Sequence, residues 1–213
     1  MKKYFLPLLF LLTITSVTNA TTITLGGIDQ GTNGWTTNVS GAIVEDFNVG
    51  SAIHWDWSGN YQIVTGSVSG EYARPAGDET YYLSVPQTGS SGLLNIDFGS
   101  SYNYFGLYWG SIDTYNKISF YKNGMLIESY SGTQLNSFIQ SNGNQTANTS
   151  NAYVNFFNVN AGFGGFDSIG LESTQRAFEV DNLAVVSHVP EPATMLLLGL
   201  GLLGLAGVSR KQK

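Results

Sequence analysis

Hydrophobic and polar positions alternate with a period of two along most of the middle of the chain, in short runs closed off by Gly, Asn, Asp and Ser. Side chains on a strand point alternately to opposite faces, so this spacing predicts half-buried β-strands. Strands are expected over residues 42–47, 62–70, 81–85, 92–97, 102–109, 152–157, 168–172 and 178–186. The sharpest signal is a hairpin in which residues 117–122 and 125–130 flank Asn123-Gly124, a dipeptide suited to the positive φ angles of a type I′ turn. Residues 133–140 predict a brief helix or turn, and 141–151 a polar loop. No amphipathic helix is legible before residue 193. Many short strands without intervening helices predict an all-β fold, an antiparallel β-sandwich of the jelly-roll type.

Both ends break this pattern. Lys2 and Lys3 precede an almost unbroken apolar run over residues 4–14, and Thr18 and Ala20 supply small residues at the positions signal peptidase reads. Residues 1–20 are therefore expected to be a cleaved signal peptide, helical in its apolar part, and the run is short for a permanent anchor. Residues 193–208 carry no charge and end in Ser209, Arg210, Lys211 and Lys213, which predicts a transmembrane helix with a basic cytoplasmic stop. At helical rise those sixteen residues cover about 24 Å, a little short of the hydrocarbon core. The glycines at 199, 201, 204 and 207 leave one face of that segment smooth, which suits helix pairing and recognition by a membrane-embedded enzyme equally. The expected division is a signal at 1–20, an ectodomain at 21–188 and a tail at 189–213.

Val189-Pro190-Glu191-Pro192 stands immediately before the apolar run. Pro-Glu-Pro, an apolar helix and a short basic end together resemble the PEP-CTERM sorting signal. The resemblance implies processing by an exosortase, after which the protein passes from an inner-membrane intermediate to the cell surface or the extracellular matrix. The two prolines keep the junction extended and out of the helix, so a cleavable backbone is held at the membrane face. A plain single-pass anchor with a rigid hinge would share the same span and charges.

Charge narrows the partners of the ectodomain. Fourteen of the fifteen Asp and Glu residues lie there against Arg74, Lys117, Lys122 and Arg176, a net charge of about −10, while the whole chain carries −6. Such a surface repels phosphate backbones, which argues against nucleic-acid partners. The absence of cysteine excludes disulfides, thiolate metal sites and thiol nucleophiles. A Ser-His-Asp site would have to use His54, since His188 lies in the linker, and no G-x-S-x-G, H-E-x-x-H or P-loop is present. The carboxylates worth weighing as a hydrolytic pair are Glu45, Asp46, Asp56, Asp78, Glu79 and Asp113, and adjacent ones in a strand point to opposite faces. The expectation is a non-catalytic protein.

Aromatic side chains beside short polar ones offer the alternative of glycan binding, with an exopolysaccharide as partner. Trp55 and Trp57 alternate onto one side of their segment, and Trp35, Tyr108 and Trp109 are further candidates, with Asp113 or Asn116 as polar partners. Core packing is the competing reading for each, and large aromatics favour it. The segments 82–86, 104–116 and 178–185 also resemble a subgroup of exosortase-dependent surface proteins related to jelly-roll carbohydrate-binding modules. That resemblance implies the fold, and it implies that Asp181 in the closing strand is a candidate oxygen ligand for a structural calcium. One Asp-Asn pair would supply only a fraction of the six to eight oxygens calcium takes, and Asp181 with Asn182 as hydrogen-bond formers is the competing reading.

Overall fold

The computed structural model describes residues 20–187. The signal segment, the Val189 to Pro192 motif, the apolar span and Arg210, Lys211 and Lys213 lie outside the described residues. In chain order the strands are β1 (Thr22–Leu25), β2 (Ile28–Asp29), β3 (Trp35–Thr36), β4 (Ile43–Glu45), β5 (Asp56–Gly59), β6 (Gln62–Val64), β7 (Tyr82–Val85), β8 (Gly92–Gly110), β9 (Asn116–Lys122), β10 (Met125–Ser131), β11 (Ala152–Phe157), β12 (Phe166–Ser173) and β13 (Phe178–Ser187). A single-turn helix, α1 (Gly132–Leu135), follows β10 and is started by a Ser131 and Gln134 capping box.

The architecture is organised by β8. Its first half pairs with β12 and β5, and its second half with β11 and β13. One layer therefore runs β10-β9-β12-β8-β5, and the other runs β1-β11-β8-β13-β7-β6, with β4 on the far half of β13; every pairing is antiparallel. The register jumps from Ser168↔Asp97 to Phe166↔Tyr102, so the residues between Asp97 and Tyr102 form an irregularity that turns the strand from one layer into the other.

The layers close face to face over apolar side chains selected by the two-residue period. Phe120 of β9 meets Phe156 of β11 at 5.3 Å and Phe166 of β12 at 5.1 Å, and Tyr130 of β10 reaches Phe156 at 5.3 Å. Phe105, Leu107 and Trp109 from β8 and Phe178 and Val180 from β13 complete this core, all buried. Edge and tilted ring pairs of this kind are the favoured geometry for packed aromatics.

The hairpin forms as expected, with Asn123 at φ 50° and Gly124 at φ 74°. Other expectations are corrected. Residues 92–97 and 102–109 belong to one strand of 19 residues, not two. The strand expected over 62–70 stops at Val64, and the chain beyond it forms loops held by a bridge between Val68 and Tyr72. Strands β1, β2, β3 and β5 arise in segments whose Thr, Gly and Asp content disguised them.

Candidate functional site

The structure does not gather the aromatic candidates into one row. Trp109 is fully buried and stacks on Phe178 at 4.5 Å. Tyr108 is buried, and its hydroxyl donates to the carbonyl of Ala76. Asn116 is buried too: its amide donates to the Ala177 carbonyl at 3.1 Å and its oxygen accepts from Ser173 Oγ at 2.6 Å. These three candidates for ligand contact are packing residues instead, because β8 is covered on both faces from Tyr104 to Gly110, which buries the successive Tyr108 and Trp109 alike, and Asn116 is enclosed at the start of β9. Trp55 and Trp57 do share a side, with rings 6.3 Å apart, but that side is the core: Trp55 lies edge-on to Phe98 at 4.8 Å and Trp57 to Phe47 at 5.7 Å. The Trp57 indole nitrogen donates to the carbonyl of His54. Asp113 is half-buried, accepts from the Tyr115 hydroxyl at 2.6 Å, and has its carboxyl raised above the usual range by burial.

Trp35 has a different setting. It lines an open groove of about 560 Å³ together with Leu25, Phe138, Tyr153 and the amides of Asn136, Gln140 and Asn148. The floor comes from the ends of β1, β3 and β11, and the wall from the segment that follows α1. Asn151 fixes that wall by donating to the carbonyls of Asn144 and Ala147 at 2.7 and 2.9 Å, while its oxygen accepts from the backbone N–H of Ser111 and Ala76. No lining residue carries a charge at neutral pH, and the one titratable group, the buried Tyr153 phenol, is held by burial far above its usual range. An indole, an exposed phenylalanine and three amides on a neutral surface can stack on and hydrogen-bond a polar, uncharged ligand.

A second constellation was not legible in the sequence. Residues 66–80 lie across the outer face of β13 and bury its two outward acids. Glu179 accepts from the Ala73 N–H at 2.8 Å and from Ser111 Oγ at 3.0 Å, and burial pushes its carboxyl up to about 7 even though both hydrogen bonds pull it down. Asp181 lies against Asp78, and burial followed by the Asp78 charge holds the Asp181 carboxyl well above the ordinary range. The oxygens of Asp181 accept from Asn182 N at 2.7 Å and Asn182 Nδ2 at 3.1 Å. Asp78 Oδ1 accepts from the N–H and hydroxyl of Thr80, while Asp78 Oδ2 is buried with no donor. Asn182 adopts φ 50° at a register shift of β13, a position an Asn tolerates better than a branched residue. Asp181 therefore sits at a bulge inside the strand.

These contacts decide how the calcium expectation fares. Both Asp181 oxygens and one Asp78 oxygen are already committed to donors, which leaves one free oxygen where calcium takes six to eight. No group of three or more His, Cys, Asp or Glu converges among the described residues. The donor set does not fit calcium. A proton on Asp181 suits the site better, because burial and then the neighbouring Asp78 charge raise the Asp181 carboxyl. Excess calcium or EDTA is expected to move the melting temperature by less than about 1 °C, where a bound structural ion would give a shift of several degrees.

The other carboxylates weighed as a hydrolytic pair are dispersed. Glu45 is buried and accepts from the N–H groups of Ile53 and His54, both at 2.7 Å, and Glu79 lies 3.8 Å from Arg74 on the surface. Asp46 caps the Asn48 N–H at 3.1 Å. Asp56 faces Asp97 across the β5 and β8 ladder in the open.

The PEP-CTERM protein-sorting motif matches residues 188–211. The match begins one residue after β13 ends, and the chain therefore carries a sorting motif at its C-terminal end. Proteins with this motif are exported, and the motif implies processing by an exosortase. No curated protein matches the chain. Among solved structures it is similar to the K2 cleaved adhesin domain of Lys-gingipain, at 9% identity and a TM-score of 0.42, over 68% of this chain and 99% of that one.

Proposed function

We propose that this chain is an exosortase-processed surface or extracellular-matrix protein whose mature part is a non-catalytic β-sandwich of the jelly-roll type with a structural or adhesive role. In this reading signal peptidase removes residues 1–20, the apolar segment 193–208 holds an inner-membrane intermediate, and the exosortase acts at Val189 to Pro192. Arg210, Lys211 and Lys213 keep the far end of the segment in the cytoplasm. The observation that carries the proposal is the sorting motif, which starts where the last strand stops. The non-catalytic part is supported by the commitments of the buried carboxylates, each of which holds backbone or side-chain donors of the fold.

Replacing Pro190 and Pro192 by Ala tests the sorting. The variant is expected to accumulate as membrane-bound precursor, followed by cell fractionation and the mass of the mature chain. Unchanged processing and location would overturn the reading.

One observation favours a second reading, the binding of a neutral polysaccharide: the groove around Trp35 is uncharged on an ectodomain with a net charge of about −10. A carbohydrate array is expected to select uncharged oligosaccharides over uronic-acid or sulfated ones. Trp35→Ala with Phe138→Ala is expected to weaken that binding about tenfold through the loss of stacking. Uniform absence of binding would leave the structural reading alone.

A further inference from the structure

The sandwich has two ends, and several independent features collect at the one where β8 turns between layers. Tyr102, at this turn, is paired with Ser187, the last residue of β13, and also with Phe166, the first of β12. The chain therefore leaves toward the sorting motif from this end. Strand β1 also starts here, since Thr22 pairs with Phe157, whose ring lies 4.9 Å from that of Tyr104. The hairpin tip is tied to the same place by the Asn123 N–H, which donates to Asp167 Oδ2 at 2.8 Å, one residue from Phe166.

The loops at this end display large apolar side chains. Phe163, three residues before Phe166, is 72% exposed, and Met125 and Leu126, just past the hairpin turn, are 70% and 59% exposed. Met125 and Leu126 pair with Lys122 and Tyr121 through the backbone only, which leaves their side chains open beside the turn. The charges beside them are acidic or self-compensated: Asp167 lies 3.7 Å from Lys122, and Asp97 and Asp56 stand further along the open face.

We infer that this end of the sandwich rests on the bilayer during the anchored stage, with Phe163, Met125 and Leu126 seated in the headgroup and acyl boundary of the outer leaflet. The inference rests on the sorting reading, which places the apolar segment in the membrane. Its occupant follows from chain length. Only residues 188–192 separate Ser187 from that segment, and five residues reach at most about 17 Å when extended. A tether that short keeps this end of the sandwich within reach of the membrane surface, and apolar tips at that distance lower their free energy by entering the interface. With no compensating cationic patch, the contact is made by apolar insertion and not by attraction to anionic lipid, so zwitterionic lipid suffices.

The absence of cysteine makes the test direct, because one introduced thiol labels one site. Gly162→Cys places a fluorophore beside Phe163, and Gln145→Cys places one on the exposed loop before β11, by the Gly110 end of β8 and away from the turn. The full chain is reconstituted in phosphatidylcholine vesicles carrying a nitroxide-labelled headgroup lipid. Quenching at position 162 is expected to exceed that at 145 by about threefold or more, and to fall when Phe163→Ser and Met125→Ser are added. Flotation of the same samples separates the two failures. A chain that floats but is quenched equally at both positions overturns the membrane-facing end while leaving the sorting reading intact. The same pattern is expected if the tips instead serve a protein partner, which pure lipid lacks. A chain that does not float overturns the membrane tail, and this inference with it.

Discussion

Phe120→Ala is expected to destabilise the sandwich by about 3–5 kcal/mol, on the order of 10 °C or more in melting temperature for a domain of this size. Phe120 is fully buried and packs on Phe105 at 5.9 Å, Phe156 at 5.3 Å, Phe166 at 5.1 Å and Tyr130 at 6.4 Å, so it touches four strands from both layers. Its neighbours are rings held by their own strands and cannot collapse into the space left behind, which places the cost toward the upper part of that range. Phe120→Leu fills most of the volume and is expected to cost less than half as much. Thermal or denaturant unfolding of the three proteins measures both differences, and a loss under about 1 kcal/mol for the alanine variant would mean that the layers do not meet over this ring.

Glu179→Gln is expected to change the pH dependence of stability more than its midpoint at any one pH. In the unfolded chain a glutamate releases its proton near its ordinary value of 4.5, whereas the folded site retains it up to about 7. Between those values the unfolded state binds fewer protons, so stability falls as pH rises, and the loss is complete above about 7. The interval corresponds to about 3 kcal/mol. Asp181, also raised, adds a fall of the same sign. A glutamine has no proton to lose, and its amide can still accept from the Ala73 N–H while offering an N–H to Ser111 Oγ. The variant is therefore expected to match the parent near pH 5, to exceed it at pH 8, and to flatten the slope between. Parallel slopes in the two proteins would show that Glu179 is ionised in the folded state. Glu179→Ala serves as the contrast: it orphans the Ala73 N–H and is expected to be less stable at both pH values.

The parts of this fold that local chemistry dictates were legible in the sequence. Asn123-Gly124 between alternating runs implied the hairpin, and alternation implied that Trp55 and Trp57 share a side. It did not imply which side, because the partner ring is Phe98, whose approach depends on the pairing of β5 with β8. The continuity of β8 was hidden by Gly99-Ser100-Ser101, a composition that ordinarily marks a turn and here crosses from one layer to the other within a strand. Glu179 escaped notice for a related reason. In sequence it is the polar member of an alternating strand, which reads as solvated, and it is buried by Ala73, 106 residues earlier. The groove around Trp35 likewise joins β3 to the segment after α1, a juxtaposition no local window contains.

The shared strand has a consequence for how the domain gains and loses its structure. A sandwich whose layers are connected only by loops can open one sheet and keep the other. Here Tyr104 to Gly110 and Gly92 to Asp97 draw their partners from opposite sheets along one unbroken backbone. Releasing either half removes the template on which the other is aligned, so the amides at both ends of β8 are expected to exchange with solvent in a single all-or-none event. An export channel that delivers this chain unfolded would then release a product with no half-built stage for a protease to find.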